Sequence, residues 1–300
     1  MAASTSRPGL DTVVVGVDGS PSARTAATWA AEEAALRGAC LCVVHAADTD
    51  AGLPFLSRAE IDASRRAGRE LLDRTAEEIA ARHPGLVVLT ELDQGTALAG
   101  LRRAAGLTGT IVVGHRGLGG FSSLLLGSVG LGVVAAATAP VVVVREATAP
   151  AGTGVVLAAV RDAADLGCAL AAAREAVLRK APLRLLHIWN AGLSAGPRAL
   201  LRKGCEEIAR EHVRALADVT DQIEQRFPEL AVQADGQRSH SVPGALVHAT
   251  HDAELVVVGG RRSPGYLGPT LGRTTLALLQ HAHCPVELIP RQGPGHGRTS

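Results

Sequence analysis

The sequence predicts a doubly wound α/β fold, built twice in one chain. Three observations lead there. Short valine-rich runs alternate with amphipathic helical patterns along the whole length. The junction Val113-Gly114 recurs as Val258-Gly259, and Ala139-Pro140-Val141 recurs as Cys284-Pro285-Val286, both 145 residues further on, as a duplication requires. At 300 residues, 47% of them hydrophobic, the chain is long enough to give each copy its own core.

In the first copy, TVVVGVD (Thr12 to Asp18) reads as the opening strand. Ser20 and Pro21 then start a helix that runs to Arg37 and stops at Gly38. LCVVHA (Leu41 to Ala46) is the second strand, followed by a long amphipathic helix from about Arg58 to Arg82. LVVLTEL (Leu86 to Leu92) is the third strand, Ala97 to Ala105 a short helix, and TIVVG (Thr110 to Gly114) the fourth strand. A glycine-rich loop, a helix from about Ser128 to Ala137 and the strand PVVVVR (Pro140 to Arg145) complete the copy.

Ala149 to Gly154 reads as a linker. The second copy then gives VVLAAV, a helix from Asp165 to Lys180, LRLLHIW, and a long helix from Leu200 to Phe227. LAVQA, a helix after Pro243-Gly244, ELVVVGG, Thr274 to His281 and PVELIP follow. The expected domains are residues 1–148 and 153–291, with a disordered tail at 292–300. Valine-rich strands alternating with helices imply parallel sheets covered on both faces.

Composition excludes several classes. With 30 basic and 29 acidic residues the net charge is +1, so no broad field recruits nucleic acid or an anionic membrane. Aromatic residues are 2%, which leaves few platforms for stacking bases. Arg202, Lys203 and Arg210 are interleaved with Glu206, Glu207 and Glu211, the mark of a solvated helix face. The opening MAASTSRPGLD is polar and has no secretory apolar stretch, and Val133 to Val144 is too short to span a bilayer. Five scattered cysteines, without a CxxC pair, suit a reducing cytoplasm, with Cys40 and Cys42 as small core residues on one strand face. His248, His251, His281 and His283 lack zinc spacing and read as surface or core histidines rather than metal ligands.

The chemistry concentrates in GHRGLGGFSSLLLGS, Gly114 to Ser128, with five glycines in fifteen residues. It leaves a buried strand and ends where a helix begins. Glycines allow close backbone approach, and a helix N-terminus offers N–H groups and partial positive charge to an anion. A Walker A motif is absent, since Lys180 and Lys203 stand near no such loop. A dinucleotide fingerprint fails as well, because Gly117-x-Gly119-x-x-Ser122 lacks its third glycine and follows the fourth strand.

Gly114-x-x-Gly117, nine residues, then Gly127-Ser128, set between a valine-rich strand and APVVVVR, resembles the universal stress protein family. VVVGVDGSPSA, with Asp18 ending the first strand, resembles it too. The resemblance implies two tandem five-stranded sheets of the adenine nucleotide alpha hydrolase-like type. The strand order would be 3-2-1-4-5, with the units packed as a pseudo-dimer and a homodimer of chains left open. It also implies ATP, with Mg2+ or Mn2+, across the ends of strands 1 and 4. Asp18 would lie by the adenine, and Val44 would offer backbone groups to the base. Gly114 and Gly117 would let the loop fold over ribose and phosphates, and Arg116 would add charge. Gly127, Ser128 and Val129 would hold phosphates. Asp18 capping the following helix is the plainer alternative.

The second copy departs from this pattern. Arg262 stands for the second glycine, Arg273 for the serine and Arg161 for Asp18. Either that site is vestigial or the three arginines form an altered anion site; the expectation is one ATP per chain. No catalytic constellation is evident. The leading reading is a nucleotide-dependent regulator of stress or dormancy responses, acting on an unidentified protein partner. A slow ATPase or adenylate-transferring enzyme, and a nucleotide-free interaction module, are the alternatives.

Overall fold

The computed structural model describes residues 12–49, 57–117, 126–145, 154–190, 202–260 and 271–290. The linker, Gly119, Gly120, Ser122, Arg262 and the tail at 292–300 lie outside them, except that Gly154 is described. The chain divides into two compact units, Met1–Glu146 and Ala147–Ser300.

Unit 1 contains β1 (Thr12–Gly16), α1 (Pro21–Arg37), β2 (Cys40–Ala46), α2 (Arg58–Arg82), β3 (Val88–Asp93), α3 (Ala97–Ala105), β4 (Thr110–Gly114), α4 (Ser128–Ala135) and β5 (Val141–Val144). Its strands run in the order β3-β2-β1-β4-β5, every neighbouring pair parallel. The predicted order is therefore present. Val13, Val14 and Val15 of the central strand are fully buried, as a sheet covered on both faces demands. Aromatic residues being scarce, α1 packs on the sheet through Ala26, Ala27, Ala30, Ala31 and Ala34, which let the helix lie close.

Local chemistry sets the helix ends. Ser20 accepts the N–H of Ala23, Pro21 fills the first turn, and Gly38 closes α1 at φ 62°, a left-handed conformation that glycine adopts without strain. Ser57 and Glu60 form a reciprocal capping box at the start of α2.

Unit 2 repeats the plan with β6 (Val155–Ala159), α5 (Leu166–Arg179), β7 (Leu183–Trp189), α6 (Arg202–Arg226), β8 (Val232–Arg238), α7 (Val242–Ala249), β9 (Ala253–Gly259), α8 (Arg273–His281) and β10 (Val286–Ile289). Its order is β8-β7-β6-β9-β10, again parallel throughout. Several boundaries shift from the sequence reading, and two of the shifts have a clear cause. Ala163–Asp165 forms a 3-10 turn before α5, so Asp165 precedes the helix. β8 runs on to Arg238, because β7 supplies a ladder to its end although Asp235-Gly-Gln-Arg238 has no apolar alternation.

Among the described residues no helix is long and apolar enough to cross a membrane. Of the two cysteines read as core, Cys42 is buried and Cys40 only half-buried. Burial, helped by Glu91, pushes the Cys42 thiol up to about 11. Burial, with Glu254 nearby, pushes Cys284 up to about 12, against a backbone hydrogen bond that opposes the rise. Thiolate is the reactive form, so native protein treated with iodoacetamide at pH 8 is expected to leave both unmodified, as peptide mass mapping would show. Labelling of either before unfolding would contradict this packing.

Candidate functional site

Strand order reverses between β1 and β4, and the cleft beyond their C-terminal ends is where ligands of such sheets bind. Val13 pairs with Thr110 and Val15 with Val112, so Asp18 and the loop after Gly114 leave the sheet side by side. Asp18 is half-buried and accepts the N–H of Ser20 at 2.9 Å. Ser20 itself caps α1. Asp18 thus shapes the turn before the helix and is not its cap.

Gly117 lies against Asp18. A Cβ at Gly117 would stand 2.5 Å from Asp18 Oδ2, so only glycine leaves that carboxylate its place. Gly127 returns to the same spot: its N–H donates to the carbonyl of His115 at 2.9 Å, and its Cα faces Arg116 and Gly117. Gly127 is the N-cap of α4 and brings no side chain to it. Ser128 and Val129, both exposed, therefore begin a helix whose first N–H groups have no intrahelical acceptor. Arg116 is exposed beside them. Asp18, Gly114, Arg116, Gly117, Gly127, Ser128 and Val129 are accordingly gathered at one end of the sheet.

Val44 lies within the sheet. It pairs with Gly16 in register, is 2% exposed, and its carbonyl accepts the N–H of Val17 at 2.9 Å. Its carbonyl, expected to serve a base, is engaged with the residue after β1. His45 donates through Nδ1 to the carbonyl of Val17 at 2.8 Å, and the carbonyl fixes the proton on that nitrogen.

Three residues not singled out for the site hold it together. Ser22 Oγ lies 2.9 Å from Nδ1 of the buried His115 and accepts the N–H of Arg116 at 3.2 Å, while Ser20 Oγ donates to the carbonyl of Arg116 at 3.5 Å. The Ser–His geometry suggests a nucleophile with its base, but Ser22 is 2% exposed and out of a substrate's reach.

Unit 2 carries an internal ion pair in the equivalent region. Arg161 clamps Asp165, with Nε to Oδ2 at 2.9 Å and Nη2 to Oδ1 at 3.0 Å, and its backbone N–H adds a third bond at 3.0 Å. Burial opposes the Arg161 charge, but the bonds and attraction of Asp165 outweigh it and raise its pKa. Its charge is thus matched within the unit. Arg273 is exposed at the first position of α8, where a cation opposes the helix dipole.

Beside this pair, His187 donates through Nδ1 to the carbonyl of Val160 at 2.8 Å, as His45 does in unit 1. His187 Nε2 then accepts from His212 Nδ1 at 2.8 Å, and Trp189 stacks on His212 with centroids 4.9 Å apart. In α2 the corresponding contact on His45 is made by Gly68, which carries no side chain.

Burial, and then the neighbouring His187, hold His212 below the ordinary imidazole value, against an opposing pull from Glu211. An unfolded chain binds that proton more readily than the folded one, so this contribution to stability is complete above about pH 6.5 and fades as pH falls through the lowered folded pKa. Melting is expected to occur at lower temperature at pH 5.5 than at pH 7.5, with the difference reduced in His212→Leu. An equal pH dependence in that variant would exclude the pair as its source.

Of the four histidines weighed as metal ligands, His251 stacks on His283 with centroids 3.5 Å apart and His248 meets His251 edge-on. Among the described residues no group of three or more His, Cys, Asp or Glu could hold a metal ion.

Comparison with known proteins agrees with this architecture. The model of the universal stress protein family matches residues 9–145 and again residues 154–290. A universal stress protein of Mycolicibacterium smegmatis is 27% identical over 288 residues, covering 92% of this chain and 96% of that protein. One of Mycobacterium tuberculosis is 28% identical over 291 residues, covering 91% and 94%. Among solved structures, a universal stress protein from Archaeoglobus fulgidus has a TM-score of 0.67 at 18% identity, covering 94% of this chain and 98% of that one, a likeness of fold. Both halves being matched, the chain belongs to the universal stress protein family, as a tandem of two such domains.

Proposed function

We propose that unit 1 binds an adenine nucleotide, ATP with Mg2+ or Mn2+, and that the protein is a nucleotide-dependent regulator read by a protein partner. The observation that carries this reading is the start of α4, a helix N-terminus capped by Gly127 without a side chain, at the strand-order reversal. Phosphates would take the N–H groups of Ser128 and Val129 and the Ser128 hydroxyl, with Arg116 as an exposed countercharge. Asp18 and Gly117 would shape the nucleoside end, and Gly114 the loop's departure from β4. For the base, Ala46 replaces Val44: it lies two residues further on the β1 side of β2, past the last paired residue of β1. The metal would be held chiefly through phosphate oxygens.

The ion pair in unit 2 supports a vestigial second site over an altered anion site, because the Arg161 charge is already matched by Asp165. A cytoplasmic location, where adenine nucleotides are abundant, accords with the free thiols of Cys40, Cys42 and Cys284.

The test is stoichiometry. Protein purified, saturated with ATP and Mg2+, freed of excess and then denatured is expected to release one adenine nucleotide per chain. Two would overturn the vestigial reading of unit 2, and none would overturn nucleotide binding itself.

A further inference from the structure

One position in each unit touches the glycine that ends the fourth strand. A Cβ on Gly114 would lie 2.6 Å from Ser22 Oγ, and a Cβ on Gly259 would lie 2.8 Å from Asp165 Oδ1. The two side chains occupy corresponding places but differ in hydrogen-bonding chemistry. A hydroxyl donates and accepts at once, whereas an ionised carboxylate only accepts.

In unit 1 both capacities have partners. Ser22 Oγ accepts the N–H of Arg116 at 3.2 Å, and its proton can be directed to His115 Nδ1 at 2.9 Å, which places the imidazole proton on Nε2. The loop is thus pinned to α1 over its first two residues, immediately before Gly117. His115 is in turn tied to the start of α4, because its carbonyl accepts the Gly127 N–H. One hydroxyl thereby orients both ends of the glycine loop.

In unit 2 the acceptor-only carboxylate draws in cations instead. Asp165 takes the backbone N–H of Arg161 and two of its guanidinium N–H groups. The side chain that follows β6 is thereby held against the start of α5.

We infer that Ser22 is a positioning residue for the nucleotide site, holding His115 and Arg116 between α1 and the start of α4, whereas Asp165 at the corresponding place of unit 2 engages Arg161 instead. The inference rests on the nucleotide reading of unit 1. It is specific to a hydroxyl: alanine would leave the Arg116 N–H without its acceptor, and aspartate would add negative charge beside Asp18 and the phosphates.

The experiment pairs two measurements on the full chain: ATP–Mg2+ affinity by titration calorimetry, and hydrogen exchange at the Arg116 amide without nucleotide. Ser22→Ala is expected to weaken ATP by about tenfold, the equivalent of losing one hydrogen bond to the loop. It is also expected to speed exchange at Arg116 while the Leu41 amide in the core is unchanged. Ser22→Thr, which keeps the hydroxyl, is expected to restore both properties, and Ser22→Asp to bind more weakly than Ser22→Ala.

Wild-type affinity in Ser22→Ala would overturn the positioning role, and unchanged Arg116 exchange would overturn the latch. Failure of the wild type to bind ATP would overturn the nucleotide reading and the role built on it. Faster Arg116 exchange in Ser22→Ala would still distinguish that failure from a missing latch.

Discussion

Gly117→Glu is expected to abolish nucleotide binding, taking bound adenine nucleotide from one per chain to none and weakening ATP by at least ~100-fold. Two physical effects act together. The new Cβ would fall 2.5 Å from Asp18 Oδ2, so the loop or the Asp18 turn must move. A forced shift of this kind typically costs about 1–3 kcal/mol. The added carboxylate would also stand beside Asp18 and face the incoming phosphates, where like charges repel. Calorimetric titration with ATP–Mg2+, beside a melting curve to show that the chain is folded, checks the result. Binding within threefold of wild type would remove Gly117 from the site. Gly117→Ala separates the two effects, because it carries the Cβ without the charge.

The second large effect lies in unit 2 and concerns stability. Arg161→Ala is expected to destabilise that unit by about 2 kcal/mol and to confer no ATP binding. Asp165 is 1% exposed, and the substitution removes both guanidinium bonds from its buried carboxylate. Breaking a fully buried ion pair costs about 3–5 kcal/mol. The Arg161 side chain is 40% exposed, and water screens the pair, which lowers the expected figure. Removing both partners in Arg161→Ala/Asp165→Ala is expected to cost less than the sum of the single changes, because neither charge is then stranded. Urea unfolding of the four proteins measures the coupling. Strict additivity would show that the pair does not hold the cleft together.

The fold was legible because its signals are local. Val13 to Val15, buried on both faces of the sheet, appear in the sequence as a continuous apolar run, and Ser20, Pro21 and Gly38 mark the ends of α1 in the order that capping requires. Legibility failed where local pattern and long-range pairing part. The last residues of β8 are polar and exposed, and join the sheet only because β7 runs alongside them. Lys180 closes α5 at φ 53°, where glycine would have announced the end.

The candidate site divides in the same way. Glycine spacing marked the loop and the start of α4, since both depend on residues close in sequence. The engagement of the Val44 carbonyl was not legible, because it depends on register with β1. Ser22 stood in plain view within VDGSPSA, but its partners His115 and Arg116 lie more than ninety residues away, and only the adjacency of β1 and β4 joins them. Asp165 looked like the opening residue of a helix until the structure placed Arg161 on it.

The internal ion pair of unit 2 would have a consequence for how the two domains respond to metabolism. A ligand stabilises whatever binds it by mass action, by about 2.7 kcal/mol when its free concentration is a hundred times the dissociation constant. Unit 1 would gain or lose that increment as cellular ATP rises and falls. Unit 2 is held by internal contacts of Arg161, His212 and Trp189, so on the proposed reading its resistance to unfolding would be independent of energy supply. Starvation would therefore loosen one domain of the chain and spare the other, which would make the duplicated fold a sensor covalently joined to its own reference.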